Sequence, residues 1–186
     1  MRIVAGSARG RRLESPASVT RPTSDRAREG LFSTLEHLLG SLGQKSVLDL
    51  YAGTGAIGLE AASRGADQVD LVENDAKAVL VCRSNLAHLG FTNVKVHAVR
   101  VEKWLTTVQS SAKYDLVVLD PPYADSNESV EGVLTNLLER DWLVDGAVVA
   151  VERDAKGPEF TWPTGLTAVR ERRYGHAMVR YATKDC

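Results

Sequence analysis

The feature that most constrains the fold is an alternation of two kinds of apolar segment from residue 46 onward. We expect strands at 46–51, 67–73, 94–99, 114–120 and 147–152, separated by helices at 57–65, 75–90, 101–109 and 128–139. The strand segments are apolar throughout, without period-two alternation, which indicates strands covered on both faces. Strand–helix alternation of this kind predicts an α/β fold with a mostly parallel sheet between two layers of helices.

Both ends of the chain depart from this alternation. Residues 166–174 and 177–182 flank Gly175 and predict an antiparallel hairpin at the edge of the sheet. Residues 2–5 and 11–14 are joined by GSARG and predict a small N-terminal hairpin.

A helix is expected between the N-terminal hairpin and the sheet. Apolar residues recur on one helical face over 25–39. We therefore divide the chain into a basic hairpin arm at 1–22, a linking helix at 23–40 and the main α/β domain at 41–186.

Charge is unevenly distributed along the chain. Seven arginines against three carboxylates give residues 1–30 a net charge of +4, so the remaining residues carry −5 of the total of −1. The pattern predicts either an arm that binds a polyanion such as RNA or a solvated arginine-rich tail. The candidate RNA-binding residues are Arg2, Arg9, Arg11, Arg12, Arg21, Arg26 and Arg28.

Several classes of protein are disfavoured. No apolar segment reaches the ~20 residues that cross a bilayer, and the N-terminus lacks the apolar region of a signal peptide, so we expect a cytoplasmic protein and no membrane partner. Cys82 and Cys186 have no partner spacing and the four histidines are scattered, so no metal site is predicted. Cys82 falls in an expected helix and is assigned to the core. A monomer is the default expectation.

A glycine-rich turn follows the first strand of the sheet. Gly53, Gly55 and Gly58 have the spacing of a nucleotide-binding turn, and Glu73 lies 20 residues after Gly53, where a ribose-binding carboxylate would be placed. This pattern indicates a cofactor that contains adenosine. Asp49 would repel a pyrophosphate but suits a ligand with an amino group and a sulfonium, so S-adenosylmethionine is favoured over a nicotinamide dinucleotide.

A second polar segment, Asp120-Pro121-Pro122-Tyr123, follows the fourth strand. Ligands of open α/β sheets bind at the carboxyl ends of the strands, so this segment and the glycine turn should share one edge. An exocyclic base amine is a poor nucleophile because its lone pair is delocalised. Acceptors on its hydrogens, such as the Asp120 carboxylate and the Pro121 carbonyl, would free that lone pair. Tyr123 could stack on a flipped-out base.

These motifs resemble a known family. VLDLYAGTGAIGLEAASRGA (47–66), LVENDAKAV (71–79) and LDPPY (119–123) are similar to class I methyltransferases that modify amino groups. GSARGRRLESP (6–16) and TRPTSDRAREGLFSTL (20–35) resemble the RsmD family. The resemblance implies a Rossmann-like sheet of seven strands and methylation of the 2-amino group of guanine 966 in 16S rRNA, within the small ribosomal subunit or its assembly intermediate.

The resemblance also implies roles for individual residues. Asp120, Pro121, Pro122 and Tyr123 would hold the guanine. The family usually has a small acidic or amide residue near the adenine, where this chain has Arg100. The expected cofactor-binding residues are Asp49, Tyr51, Gly53, Thr54, Gly55, Gly58, Glu73, Asn74, Val99, Arg100 and Asp120.

Four alternatives remain open on the residues alone. DNA or RNA adenine-N6 methyltransferases and protein glutamine methyltransferases use the same Asp-Pro-Pro-Tyr chemistry. A nicotinamide-dependent oxidoreductase would use the glycine turn and leave Asp120-Pro121-Pro122-Tyr123 unexplained. A non-catalytic RNA-binding module would retain only the fold.

Overall fold

A computed structural model describes residues 1–15, 25–108 and 113–186. Its helices are α1 (Asp25–Leu39), α2 (Ala56–Ser63), α3 (Ala76–Leu89), α4 (Val101–Thr107) and α5 (Asn127–Glu139). Its strands are β1 (Ser46–Leu50), β2 (Gln68–Glu73), β3 (Val94–Ala98), β4 (Tyr114–Leu119), β5 (Leu143–Asp154), β6 (Leu166–Tyr174) and β7 (Ala177–Lys184). None of the described helices is long and apolar enough to cross a membrane.

The seven strands form one sheet in the order β3-β2-β1-β4-β5-β7-β6. Strands β1 to β5 pair in parallel, whereas β7 pairs antiparallel with both β5 and β6. The predicted α/β fold and C-terminal antiparallel hairpin are confirmed. Dinucleotide-binding folds continue their parallel sheet with a sixth strand beside β5. Here an antiparallel strand occupies that position, which weakens the oxidoreductase alternative.

Two apolar cores cover the two faces of the sheet. Helices α1, α2 and α3 cover one face, called here the α1 face, with Phe32, Leu59 and Cys82 fully buried. Helices α4 and α5 cover the other, the α4 face, where Trp104 and Trp142 stack at 4.9 Å between ring centroids. Cys82 therefore belongs to the core, as expected.

Local sequence signals account for several helix ends. The Asp75 side chain accepts a hydrogen bond from the Ala78 amide at the start of α3, and the Ser126 side chain does the same for α5 through Ser129. Gly90 ends α3 with a φ of 76°. The strand predicted at 147–152 is too short, because pairing with β4 and β7 extends β5 to Leu143–Asp154.

The N-terminal segment, defined as residues 1–15, packs on the body of the protein. The predicted hairpin is short: Arg2 and Arg12 form an antiparallel bridge, and the amides of Ile3 and Leu13 donate to the carbonyls of Arg11 and Met1. The amides of Val4 and Ala5 instead donate to the buried Glu60 carboxylate of α2, at 2.7 and 2.9 Å. Beyond Ile3, a carboxylate from α2 therefore replaces a partner strand as the acceptor for these two amides.

The turn at residues 6–10 points away from the carboxyl ends of the parallel strands. The Ser7 amide donates to the Ser63 carbonyl at the end of α2, and Arg11 donates to the carbonyls of His88 and Leu89 at the end of α3. Both helices begin after the carboxyl end of a strand and end near the amino end of the next one. The tip of the N-terminal segment therefore lies at the amino edge of the sheet.

Candidate active site

The glycine turn and the Asp-Pro-Pro-Tyr loop meet at the carboxyl edge of the sheet. Strands β1 and β4 are parallel neighbours, and the Asp120 amide donates to the Leu50 carbonyl at 3.4 Å. The loops that follow these two strands are therefore adjacent, close enough for one ligand to contact both. This arrangement meets the geometric requirement of methyl transfer between them.

The backbone of the glycine turn adopts conformations that leave it open to a ligand. Gly53 has a φ of 55°, and no atom lies within 4 Å of the position a Cβ would occupy there. Tyr51 has a φ of 64°, a left-handed value that is uncommon for a bulky residue and that concentrates at ligand sites. Its side chain lines the adjoining cleft.

Glu73 forms the floor of this cleft. Its carboxylate accepts hydrogen bonds from the amides of Gly53, Asn74 and Asp75, each at 2.7 Å. An ionised carboxylate offers about four acceptor sites, so one remains for a donor such as a ribose hydroxyl. The cleft is lined by Tyr51, Val72, Glu73, Asn74, Arg100, Val101, Glu102, Pro122 and Asp125. The excess of carboxylates among these residues suits a cationic nucleoside such as S-adenosylmethionine.

Asp49 supports the turn from below. Its buried carboxylate accepts from the Gly58 amide at 2.9 Å, and burial raises the pKa of Asp49 to about 7. Gly58 itself faces β2, where a Cβ would lie 2.1 Å from Leu71 Cδ2. The prediction that Gly58 lines the cofactor pocket is therefore corrected, since this glycine allows α2 to pack closely against the sheet.

Gly55 also has a packing role, since a Cβ there would lie 2.7 Å from Cys82 Sγ. Among the other predicted cofactor residues, Tyr51, Asn74 and Arg100 line the cleft, and Arg100 Nε lies 3.5 Å from Glu102 Oε2. Val99 packs instead against the core of the α4 face. The prediction from sequence missed Glu102 and Asp125, which carry no motif.

The Asp120 carboxyl lies beside a second carboxyl that the sequence did not identify. Leu119 pairs with Val151, so Asp120 and Glu152 occupy the next level of the neighbouring strands β4 and β5. Burial, the nearby charge of Glu152 and that of Asp49 raise the pKa of Asp120 to about 8. Tyr123 Oη lies 3.4 Å from Glu152 Oε1. One aromatic ring and two carboxyls thus form one end of the site.

Arg153 holds the loop that carries this site, and no sequence motif points to it. Its buried guanidinium donates to the carbonyls of Pro122 and Asp125, and to Asn127 Oδ1 at 3.1 Å. A buried guanidinium must satisfy its donors, and the carbonyls of this proline-rich loop do so. Arg153 therefore fixes the loop conformation from the neighbouring strand.

The predicted RNA-binding arginines lie in different environments. Arg28 is fully buried and donates to Asp25 Oδ1 at 2.8 Å and to the Arg2 carbonyl at 2.5 Å. The expectation that Arg28 contacts RNA is corrected, because its guanidinium holds the N-terminal segment against α1. Arg21 lies outside the described residues. The side chains of Arg2, Arg9, Arg11, Arg12 and Arg26 belong to exposed residues.

The strand order and the two adjoining loops define a methyltransferase with a Rossmann-like fold. Residues 1–183 match the family model described as Conserved hypothetical protein 95. The chain belongs to this family, the RsmD family.

Individual relatives cover almost the whole chain. Ribosomal RNA small subunit methyltransferase D of Escherichia coli is 34% identical over 186 residues, covering 100% of this chain and 90% of the relative. The protein of the same name from Haemophilus influenzae is 33% identical over 178 residues, with 94% and 89% covered. A solved Escherichia coli structure named as the methyltransferase yhhF superposes with a TM-score of 0.86 at 32% identity, covering 100% and 98% of the two chains.

Proposed function

We propose that the protein transfers a methyl group from S-adenosylmethionine to the exocyclic 2-amino group of a guanine in 16S rRNA, the guanine numbered 966 in the family. The relatives named as small-subunit rRNA methyltransferases support an rRNA substrate. The observation that carries the choice of guanine is the pair of carboxyls, Asp120 and Glu152, beside Tyr123.

Hydrogen-bond chemistry links this pair to guanine. The Watson–Crick edge of guanine presents adjacent donors, the N1 hydrogen and the 2-amino group. Two carboxylates side by side accept from both. Adenine presents its 6-amino group next to the N1 acceptor, so a second carboxylate would face a lone pair. When both carboxyls are ionised, the pair therefore favours guanine over the adenine alternative.

S-adenosylmethionine would supply an electrophilic methyl group on a sulfonium, and the cleft between Tyr51, Glu73 and Asn74 would hold it. Tyr123 stacks on the base, and Glu152 accepts from N1. Asp120 accepts from the 2-amino group and takes the extra proton as the nitrogen–methyl bond forms and the sulfur–methyl bond breaks. Arg153 and the two prolines keep the loop in place, so most of the rate comes from positioning.

The test measures transfer of labelled methyl groups to small-subunit particles that lack the modification, followed by mapping of the methylated base. We expect N2-methylguanine with the wild-type protein. Asp120→Ala should abolish transfer, and Glu152→Gln should lower kcat/KM for the particle at least tenfold. Glu159→Gln changes an exposed acid just beyond β5 and serves as the matched control.

The outcomes separate the alternatives. Methylation at adenine N6 would show that the substrate base is adenine and not guanine. Label found only on protein would favour the glutamine alternative. An unchanged kcat/KM in Glu152→Gln would remove the argument from the carboxyl pair.

A further inference from the structure

The C-terminal hairpin β6–β7 is strongly basic. Residues 166–184 contain four arginines and Lys184 against the single Glu171, a net charge of +4 in a protein whose total is −1. Arg180 pairs with Glu171 at 3.0 Å, whereas Arg170 and Arg172 form no ion pair within the described ranges. Arg172 is exposed and Arg170 is half-buried.

Strand pairing sets Arg172 level with the active site. Glu152 pairs with Val179, and Val179 pairs with Arg172. Asp120, Glu152, Val179 and Arg172 therefore form one row across β4, β5, β7 and β6. Strands lie about 4.8 Å apart, so the Cα atoms of Arg172 and Asp120 are separated by roughly 15 Å.

The side chains of this row point to the same face of the sheet. Val118 and Ala150 belong to the core of the α1 face, so Asp120 and Glu152, two residues further on, share that face. Val179 and Tyr181 belong to the same core and pair with Arg172 and Arg170. The two arginines are thus neighbours on one side of β6, about 7 Å apart.

Helix α1 adds another cation to this surface. A Cβ on Gly30 would lie 2.6 Å from Tyr174 Cε1, so α1 runs directly beside the end of β6. Arg26 lies one helical turn before Gly30 on the same stripe of the helix, and it is exposed. Arg26, Arg170 and Arg172 together are called here the rim arginines.

Protection of the edge strand β6 from association does not by itself explain the rim arginines. Charged side chains on an edge strand prevent sheet–sheet association, and acidic residues do this as well as basic ones. Here the charged side chains that β6 places on the α1 face, Arg170 and Arg172, are both positive, and in the described part of the chain no carboxylate forms an ion pair with them or with Arg26. Like charges held close together without counterions favour an external polyanion.

We infer that the rim arginines bind the phosphodiester backbone of the RNA strand whose base enters the site at Asp120. The inference rests on the proposed function and extends it to a docking surface. The C-terminal hairpin and the start of α1, rather than the tip of the N-terminal segment, hold the RNA beside the reacting base.

The test compares binding of a 16S rRNA transcript at several salt concentrations to the full chain carrying Asp120→Ala, with and without Arg170→Gln and Arg172→Gln. Because Asp120→Ala is expected to lack transfer activity, the experiment reports docking alone. We expect the double substitution to raise Kd at least fivefold and to reduce the slope of log K against log salt by about 1.4, since each phosphate contact contributes about 0.7 for single strands.

The control is Arg83→Gln with Lys95→Gln, which removes the same charge from exposed positions on α3 and β3. Equal losses in the control and the test variant would show a non-specific effect of net charge and overturn the inference. Wild-type Kd and salt slope in the test variant would overturn it too. Should the wild-type protein bind RNA but methylate no RNA base, the proposed function fails while the comparison of slopes still decides the docking surface.

Discussion

The two ends of the chain carry the same charge but face opposite edges of the sheet. Residues 1–30 and residues 166–184 each have a net charge of +4. The tip of the N-terminal segment contacts the ends of α2 and α3 at the amino edge, whereas the β6–β7 turn lies beside Asp154 at the carboxyl edge. Topology, and not composition, decides which basic segment lies near the reaction.

The two segments also differ in how they are attached. Backbone hydrogen bonds of a sheet hold the C-terminal hairpin. The N-terminal segment depends on side chains, chiefly Glu60 and Ser63 of α2 and Asn85 of α3. Its attachment should therefore be sensitive to single substitutions, while the hairpin should tolerate them.

The largest expected effect is that of Glu60→Ala. This change removes the acceptor of the Val4 and Ala5 amides and the carboxylate that pairs with Arg64 and buried Arg28. Breaking a buried ion pair costs about 3–5 kcal/mol, so the free energy of unfolding in urea should fall by that amount. Glu36→Gln breaks only the exposed end of the same network and should cost under about 1 kcal/mol. An equal loss in the free energy of unfolding for both variants would mean that Glu60 does not hold the N-terminal segment.

Two glycines at the tip of the N-terminal segment also test how this segment is attached to α2. Gly6 and Gly10 have φ values of 81° and 82°, but a Cβ on Gly6 would lie 1.8 Å from the Ser63 carbonyl oxygen, whereas Gly10 has no neighbour. Gly10→Ala should cost about 1 kcal/mol from backbone strain alone. Gly6→Ala should cost about 2–4 kcal/mol because the segment must move away from α2. Thermal unfolding of both variants checks the difference, and similar melting temperatures would contradict it.

The pH dependence of transfer tests the carboxyl edge. Asp120 must be ionised to accept the amine proton, and its pKa is raised to about 8 by burial and neighbouring acids. We expect kcat/KM to rise about tenfold per unit below pH 8 and then level off. Glu152→Gln removes a negative neighbour and should move the inflection to lower pH. A profile that is flat from pH 6 to 9 would show that Asp120 loses its proton outside this pH range.

Ionisation of Asp120 should lower the stability of the fold, although it raises the rate of transfer. A raised carboxyl pKa in the folded state means that stability is greatest when the group is protonated and decreases as pH rises from about 4 to about 8. Asp120→Asn should therefore be at least as stable as the wild type at pH 9, measured by urea unfolding. A large loss of stability there would mean that the ionised carboxylate stabilises the fold.

The smallest expected effects come from single arginines at the two edges. Arg172→Gln should raise KM for the RNA substrate about threefold with little change in kcat, because one phosphate contact at the carboxyl edge is lost. Arg9 lies at the amino edge, so Arg9→Gln should change KM by less than about twofold. Steady-state methylation at two salt concentrations distinguishes them. A larger change in KM for Arg9→Gln would indicate that RNA docks on the N-terminal segment instead.

Much of this fold follows from local sequence. Helix α1 was predicted at 25–39 and spans Asp25–Leu39, because its apolar spacing is unambiguous. The placement of Asp120 beside the glycine turn also followed, since parallel strands bring their carboxyl ends to one edge. The predicted roles of Asp120 through Tyr123 stay predictions until transfer is measured.

Other features could not be predicted from local patterns. Arg28 and Arg26 are two residues apart in an arginine-rich segment, yet one is fully buried and the other exposed. Glu152 and Arg153 end a strand whose sequence, AVVAVER, predicts only a strand. Their roles depend on which loops lie beside β5, and that depends on pairings between residues distant in sequence.

By itself, the sequence determined the succession of helices and strands and the edge at which the two motifs meet, because periodicity and strand direction are local properties of the chain. Only the tertiary structure decided that β7 lies between β5 and β6, that Glu60 and Arg28 are buried as partners, and that Arg172 stands level with Asp120. These arrangements arise from long-range packing, in which the same charged residue is stable at a surface or in a buried ion pair according to the groups that surround it.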